Sequence, residues 1–454
     1  MKSRIAGLVG PLVGAVCLAA APAASAATYV VLGKGAGSLD REIRAAGGQV
    51  RTAMPEIGVF IVESDATNFM NRAKRIAAVS GIAEDVMLEY DLPVSAGEAV
   101  SIEDYGNPPF SGDDDVFFDL QWGHDAVDAP EAWNAGYRGA GATVAILDGG
   151  YDLDHPDLAP NLGPGGTAWG CHANFSDDPS LAYSFPDPFS HGTHVAGTVA
   201  AADNAFGTIG VAPEATLCLV KVLGDVGSGA FSWLIEGIYH IANPEFGVDV
   251  ANMSLGARFP RNSAGAAQLI SALGRAAAYA TQNGVLMITS GGNEGANLDK
   301  DQMIVNVPSQ AANFVSISAT GPIGWAVDPE NAFLDYLANY SNYGVTGIEF
   351  AAPGGDYIYP GSESCLIAGL VRPCFVFDYV FSTGNGGWYW SVGTSMAAPH
   401  AAGVAALIVG KNGGSMKPAQ VLKAMRAGAD DLGKPGRDPA YSKGRVNAYG
   451  SVSN

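Results

Sequence analysis

Three polar residues stand in otherwise apolar or small-residue runs, and together they could carry out acyl transfer. Asp148 closes GATVAILD, His191 opens HGTHVAG, and Ser395 lies in GTSMAAPHAAG. Acyl transfer to a hydroxyl needs a base beside the nucleophile and a group that holds that base in the right tautomer. It also needs fixed donors for the developing oxyanion. A serine at a helix start has free backbone N–H groups and the positive end of a helix dipole beside it. A carboxylate at the end of an apolar strand is costly to desolvate without a partner, and a histidine would be one. Each residue also has a plainer reading: Ser395 as a helix cap, His191 as a structural histidine, Asp148 as a strand-end turn residue. His191 and His194 are three apart, but no glutamate stands between them as in the zinc-protease pattern, and no third ligand stands out.

Elements of two kinds must position these residues. Over residues 28–90, TYVVLGK reads as a strand and SLDREIRAAGG as a helix with Ser38 as N-cap and glycine at its end. QVRTAMPEI and GVFIVES read as a strand pair, NFMNRAKRIAAV as an amphipathic helix and GIAEDVMLEY as a returning strand. This β-α-β-β-α-β order predicts a small α+β ferredoxin-like domain. Residues 91–118 break the pattern. Gly106, Pro108, Pro109, Gly112 and the run Asp113-Asp114-Asp115 predict an exposed acidic linker open to proteolysis. From Asp119 onward, apolar strands such as ATLCLVKVL, VDVANMSLG and VLMITSG alternate with helices such as FSWLIEGIYHIA and GAAQLISALGRAAAYATQNG. That alternation predicts an α/β domain with a mostly parallel sheet flanked by helices over residues 119–454. In such sheets ligand sites lie at the carboxyl ends of strands, where Asp148, Ser254 and Asn293 fall.

Composition fits a packed enzyme. Hydrophobic residues are 48% and charged residues 15% of the 454, which excludes a disordered chain. The net charge of −21, from 24 basic and 45 acidic residues, disfavours nucleic acid and anionic membranes as partners. Lys2 and Arg4, the uncharged run over residues 5–20 and the small-x-small pattern Ala24-Ser25-Ala26 predict an export signal over residues 1–26. No other stretch is long and apolar enough to span a bilayer. Cys17 leaves with the signal. Cys171, Cys218, Cys365 and Cys374 then form two disulfides in one of three connectivities.

VAILDGGYDLDHPDL, HGTHVAGTVAA and GTSMAAPHAAG together resemble the three catalytic blocks of the subtilases, in that family's Asp–His–Ser order. The resemblance runs from about Gln121 to Val446, with further matches at GVAPEATLCLVKVL, VANMSLG, TSGGNEG and FAAPG. It implies a subtilisin-like secreted serine endopeptidase (extracellular or periplasmic) with Ser395 as nucleophile, His191 as general base and Asp148 orienting it. Asn293 would donate its amide to the oxyanion. Gly227-Ser228-Gly229 and Ser254-Leu255-Gly256 would form the edge on which an extended peptide lies. Ser254 to Gly256 and Ser290-Gly291-Gly292 would wall a roomy first pocket for large apolar side chains. The resemblance also implies a structural Ca²⁺ held by Asp157 and Asn204 with carbonyls of Ala202, Phe206 and Thr208. Residues 27–90 resemble the family's propeptide, an intramolecular inhibitor removed by self-cleavage between Tyr90 and Asp119. The expected product is a monomer acting on proteins and peptides. A selective processing protease and a peptide-binding pseudoenzyme are the alternatives. The sequence departs from the family at Gly149-Gly150, where Ser or Thr followed by Gly is usual, and in two longer stretches, 321–340 and 355–390.

Overall fold

The computed structural model describes residues 26–454 apart from 36, 90–94, 101–112, 187–188 and 302; at 88–89 and 95–100 the backbone alone is described. Of the expected export signal only Ala26 falls among them. Tyr90 and the linker residues Gly106, Pro108, Pro109 and Gly112 lie outside the described residues.

The first unit comprises β1 (Ala27–Gly33), α1 (Asp40–Ala46), β2 (Gln49–Met54), β3 (Val59–Ser64), α2 (Phe69–Ala73) and β4 (Val79–Glu84), with strand order β2-β3-β1-β4. Period-2 alternation gives this sheet two apolar faces. Val31, Phe60 and Val62 pack under Ile43 and Phe69 of the two helices. Val30, Leu32, Met54, Val59 and Ile61 belong instead to a core shared with the rest of the chain. The strand expected over GIAEDVMLEY is divided, because Asp85 turns its carboxylate to the N–H groups of Val86 (3.0 Å) and Ser232 (3.1 Å). Its second half becomes β5 (Met87–Glu89), and β6 (Ser95–Val100) follows within the stretch expected to be a plain linker. Within the Asp113–Asp115 run, Asp114 is exposed as expected and Asp113 partly so, whereas Asp115 is fully buried.

The larger unit begins with α3 (Trp122–Ala126) and α4 (Ala129–Asn134). It continues through β7 (Thr143–Asp148), β8 (Ala173–Asn174), α5 (His191–Ala200), β9 (Thr216–Lys221), β10 (Ser228–Ala230), α6 (Phe231–Ile241) and β11 (Val250–Met253). Next come β12 (Ala257–Pro260), α7 (Ala266–Gln282), β13 (Leu286–Ser290), β14 (Ile304–Val307), β15 (Val315–Gly321), β16 (Tyr336–Leu337) and β17 (Phe350–Pro353). It ends with β18 (Ser364–Ile367), β19 (Leu370–Pro373), β20 (Val380–Gly384), β21 (Gly387–Val392), α8 (Thr394–Lys411), α9 (Pro418–Gly428) and α10 (Ala448–Ser453). The central sheet has the order β16-β15-β13-β11-β7-β9-β8, with β17 also pairing β15. All its pairs are parallel except β15–β16. Its strands are apolar on both faces because helices cover both. Helices α5 and α8 pack on one face, and α6 and α7 on the other.

The small sheet sits on α6 and α7. Arg51 donates to Glu236 of α6 at 2.7 Å, and Arg275 of α7 donates to the carbonyls of Gly33, Ile57 and Gly58 at 3.0–3.2 Å. The disulfides are Cys171–Cys218 and Cys365–Cys374. The second closes the β18–β19 hairpin inside the longer stretch 355–390. The two longer stretches pack together, because the buried Asp378 carboxylate takes the N–H groups of Gly324 and Trp325, each at 2.7 Å. Burial pushes its carboxyl up to about 7.

Helix α5 can approach β20 only because residue 197 is glycine. A Cβ there would fall 2.1 Å from Thr383 Oγ1 and 2.7 Å from Ser382 Oγ. Both hydroxyls are fixed by donating to carbonyls of α5, Thr193 at 2.8 Å and His194 at 2.9 Å. Gly197→Ala should therefore cost about 1–3 kcal/mol, the range for overpacking a filled core. Urea unfolding of that variant, made together with Ser395→Ala to prevent self-digestion, reads this directly. Unchanged stability would mean that the helix and strand do not meet this closely.

Candidate active site

The site is assembled at the carboxyl ends of β7 and β13 and the amino ends of α5 and α8. Asp148 is the last residue of β7 and fully buried. Its Oδ1 accepts from His191 Nδ1 and from the Gly149 N–H, both at 2.7 Å. Its Oδ2 is buried with no hydrogen-bond partner among the described residues. The family's usual hydroxyl residue is replaced here by Gly149, so the departure seen in the sequence leaves one carboxylate oxygen unsatisfied.

His191 is the first residue of α5. Ser190 caps that helix by accepting the Thr193 N–H at 3.3 Å, and it donates to the Gly150 carbonyl at 2.8 Å. The Asp152 N–H reaches Thr193 Oγ1 at 2.8 Å. These bonds lash the start of the helix to the loop after Asp148, so the ring and the carboxylate are placed by one small network. The bond to Asp148 puts the proton of a neutral imidazole on Nδ1 and leaves Nε2, which has no hydrogen-bond partner among the described residues, as the basic atom. His194 does different work: Nε2 lies 3.2 Å and 3.1 Å from the carbonyls of Val380 and Tyr389, and burial drives the ring down to about 3.

Ser395 is the second residue of α8, a helix buried along nearly its whole length. Pro399 has no N–H to return to the Ser395 carbonyl four residues earlier. Ser254 Oγ fills that gap, donating to the Ser395 carbonyl at 2.7 Å, and Asn252 Nδ2 in turn donates to Ser254 Oγ at 2.9 Å. Ser395 Oγ donates to the Ser254 carbonyl at 3.2 Å, so in this state the hydroxyl is not bonded to His191. Hydrogen bonds of this kind are often loose before substrate binds.

Asn293 follows β13 across two glycines. Gly292 has φ 100°, and a Cβ on it would lie 2.4 Å from Asn342 Nδ2. Asn342 fixes the turn through its N–H to the Gly292 carbonyl (2.9 Å) and its Nδ2 to the Gly291 carbonyl (3.0 Å). Asn293 Oδ1 accepts from Thr394 N at 2.9 Å and Oγ1 at 2.8 Å. Its amide NH₂ is thereby left as the outward donor beside Ser395. Sequence reasoning missed Thr394, Asn252, Asn342 and the framing role of Ser254. The first two lie inside quoted motifs, whereas nothing local marks Asn342.

The edge expected to bind a peptide is paired with a strand of the chain itself. β5 pairs antiparallel with β10, Glu89 opposite Ser228 and Leu88 opposite Gly229, with Gly227 just before the strand. β6 pairs antiparallel with β21, Ser95 opposite Val392, three residues before Ser395. Gly256, Ser290, Gly291 and Gly292 line a cavity of about 10 Å³, joined by Arg258, Asn293, Glu294, Asn306 and Thr394. Ser254 and Leu255 are not part of that lining. Arg258 and Glu294 are among the residues that line it.

Around loop 202–208, Asp157 is fully buried. Its Oδ2 takes Trp388 Nε1 (2.7 Å), Thr208 N (2.9 Å) and Thr208 Oγ1 (3.3 Å), while Oδ1 is buried with no partner among the described residues. Burial pushes this carboxyl up to about 6. The exposed Asn204 turns its NH₂ to the Pro156 carbonyl at 3.3 Å, and the Ala202 N–H bonds the Asp157 carbonyl at 2.8 Å. Asp157 thus offers a cation one free oxygen, and the carbonyls of Ala202, Phe206 and Thr208 would supply the rest.

The Subtilase family profile matches residues 139–444. M-protease of Shouchella clausii (strain KSM-K16) is 37% identical over 332 residues, 72% of this chain and 69% of that protein. Subtilisin Savinase of Lederbergia lenta is 36% identical over 332 residues, covering 72% and 97%. Among solved structures, the epidermin leader peptide processing serine protease of Staphylococcus aureus superposes with a TM-score of 0.73 at 20% identity, over 95% of this chain and 98% of that one. A lanthipeptide protease superposes at 0.58 with 30% identity, over 74% and 94%.

Two substitutions probe the geometry. Asn293→Ala should lower kcat by about 10²–10³ with KM nearly unchanged, the size already known for the corresponding donor in subtilisin. A parallel rise in KM would mean that Asn293 binds substrate rather than the oxyanion. Gly149→Ser has room, since a Cβ there meets nothing closer than the Gly224 carbonyl at 3.7 Å. By giving Asp148 Oδ2 a donor it should raise stability by about 1 kcal/mol, measured by urea unfolding in the Ser395→Ala form. A loss of stability would show that this oxygen is already satisfied.

Proposed function

The chain belongs to the subtilase family as a subtilisin-like serine endopeptidase, and we propose that it is secreted as a precursor, matures by cutting itself, and hydrolyses proteins through an acyl-enzyme on Ser395. The observation that carries this reading is the 2.7 Å bond between His191 Nδ1 and the buried Asp148 carboxylate, which leaves Nε2 to act as base. In the reaction, Ser395 Oγ attacks the scissile carbonyl and its proton passes to His191 Nε2. Asp148 stabilises the imidazolium so formed and keeps its own charge. The oxyanion is held by the Asn293 amide and the Ser395 N–H. His191 then protonates the leaving amine, and a water, deprotonated by the same nitrogen, releases the acid.

Substrate would lie as a strand along Gly227, Ser228 and Gly229 on one side and Ser254, Leu255 and Gly256 on the other. The pairing of β5 with β10 supports this edge and supports residues 27–90 as an intramolecular inhibitor, because a segment of the chain itself occupies the place of a substrate. A structural Ca²⁺ at Asp157, Asn204 and the carbonyls of Ala202, Phe206 and Thr208 is supported by the unpartnered Asp157 Oδ1. A selective processing protease is the second reading. Arg258 and Glu294 in the pocket wall favour it, since charged walls discriminate among side chains more sharply than glycines do.

Precursor and Ser395→Ala forms expressed side by side test the main reading. The unsubstituted form should shed a segment ending before Asp119 and hydrolyse casein, while the variant stays intact and inert. Identical behaviour of the two would remove Ser395 as nucleophile. A peptide panel then separates broad from selective cleavage.

A further inference from the structure

Lys221 closes β9, and its side chain has no exposed surface. The reaction proposed above gives it no part. An ammonium taken out of water is costly unless well-placed oxygens replace its hydration. Lys221 Nζ donates to Asp225 Oδ1 at 2.5 Å and to the Ser180 carbonyl at 3.3 Å, and it lies 2.8 Å from Asp178 Oδ2. Asp178 Oδ2 also accepts the Asp225 N–H at 2.8 Å. Asp225 Oδ2 accepts Ser184 N at 2.8 Å and Ser184 Oγ at 3.0 Å. One buried ammonium thus binds the stretch 178–184 to the turn that holds Asp225.

That turn leads straight into the edge Gly227-Ser228-Gly229. The Gly227 N–H bonds the Gly224 carbonyl at 2.9 Å, and the Gly224 N–H bonds the Ser228 carbonyl at 2.8 Å. Two of the three edge residues are glycine, which loses more freedom on ordering than any other residue. Val226 beside them is exposed. The edge therefore has little side-chain packing of its own to fix it, and the Asp225 carboxylate supplies the hold. A main-chain edge recognises an extended peptide by hydrogen bonds of fixed spacing, so holding it in place before binding raises affinity.

A second route leads from the same cluster toward Asp148. Lys221 stands opposite Asp148 in the β7–β9 pair, and a Cβ on Gly150 would fall 2.3 Å from Asp225 Oδ1. The loop after Asp148 has its own ties, however, in the Ser190–Gly150 and Asp152–Thr193 bonds. Loss of the ammonium should therefore reach the edge before it reaches the Asp148–His191 pair. We propose that Lys221 is a positioning residue for substrate: through Asp225 and Asp178 it fixes the edge Gly227-Ser228-Gly229 and so sets affinity for extended peptides. This rests on the reading of that edge as the place where a peptide lies.

The test compares two p-nitroanilides that end in the same residue, one a tetrapeptide and one a single acetylated residue. Enzyme is made from the full-length precursor, and its active sites are counted with phenylmethylsulfonyl fluoride. Lys221→Met keeps the long stem without the charge. It should raise KM for the tetrapeptide about tenfold with kcat nearly unchanged, the signature of lost binding held equally in ground and transition states. For the single residue, which does not reach the edge, kcat/KM should stay within about twofold of the parent. Asp225→Asn keeps the shape and one oxygen, so it folds even where Lys221→Met leaves two carboxylates too close, and it should show the same split at about threefold. An unchanged tetrapeptide KM would overturn the proposal, and so would equal losses on both substrates, which would place the effect at Asp148 and His191. If the parent enzyme itself shows no gain from the longer peptide, the edge reading fails first, and the proposal falls with it.

Discussion

A buried carboxylate sets the terms for the rest of this structure. Asp148 has no exposed surface, and its charge is met by two donors on one oxygen alone. Desolvating such a group is affordable only if its partners cannot drift away. The central position of β7 between β9 and β11, the cap of Ser190 on α5 and the Asp152–Thr193 bond all serve that end. Close contact of α5 with β20 through Gly197 fixes the same helix from behind.

Ser395 is placed by a different device. Pro399 withholds an N–H from the helix, and Ser254 occupies the carbonyl so released. A break in the helix ladder thereby becomes a joint between α8 and the strand end after β11. Asn293 is joined to the same helix start through Thr394. His191, Ser395 and Asn293 thus stand on two helices and a strand-end loop around one sheet, held by bonds whose loss would each leave a buried polar group unpaired.

The small sheet contributes to this same unit. Its second apolar face is buried only by docking on α6 and α7, and Asp85 and Val86 bond the start of α6. That docking delivers β5 to the β10 edge. A sheet that buries its second face by docking thereby also brings β5 against β10. The same economy appears at Phe117, whose ring packs on Trp388 while its N–H bonds the Gly207 carbonyl.

Local pattern alone determined the parallel sheet, the helices that flank it, the β-α-β-β-α-β order and the motifs holding Asp148, His191, Ser395 and Asn293. Those features are legible because apolar runs, glycine breaks and caps act over a few residues, and because the blocks recur in one family. The tertiary structure alone decided the two disulfide pairs, the division of GIAEDVMLEY at Asp85, the strand within the linker, the burial of Asp115 and the charged wall of the pocket. Each depends on a partner distant in the sequence or on a choice among equivalent pairings. The Asp85 carboxylate turns because Ser232 awaits it, and Arg258 reaches the pocket because β12 pairs with β14. The unsatisfied Asp148 Oδ2 lies between the two cases. Gly149 is visible in the sequence, but only the packed site shows that no other donor takes the missing hydroxyl's place.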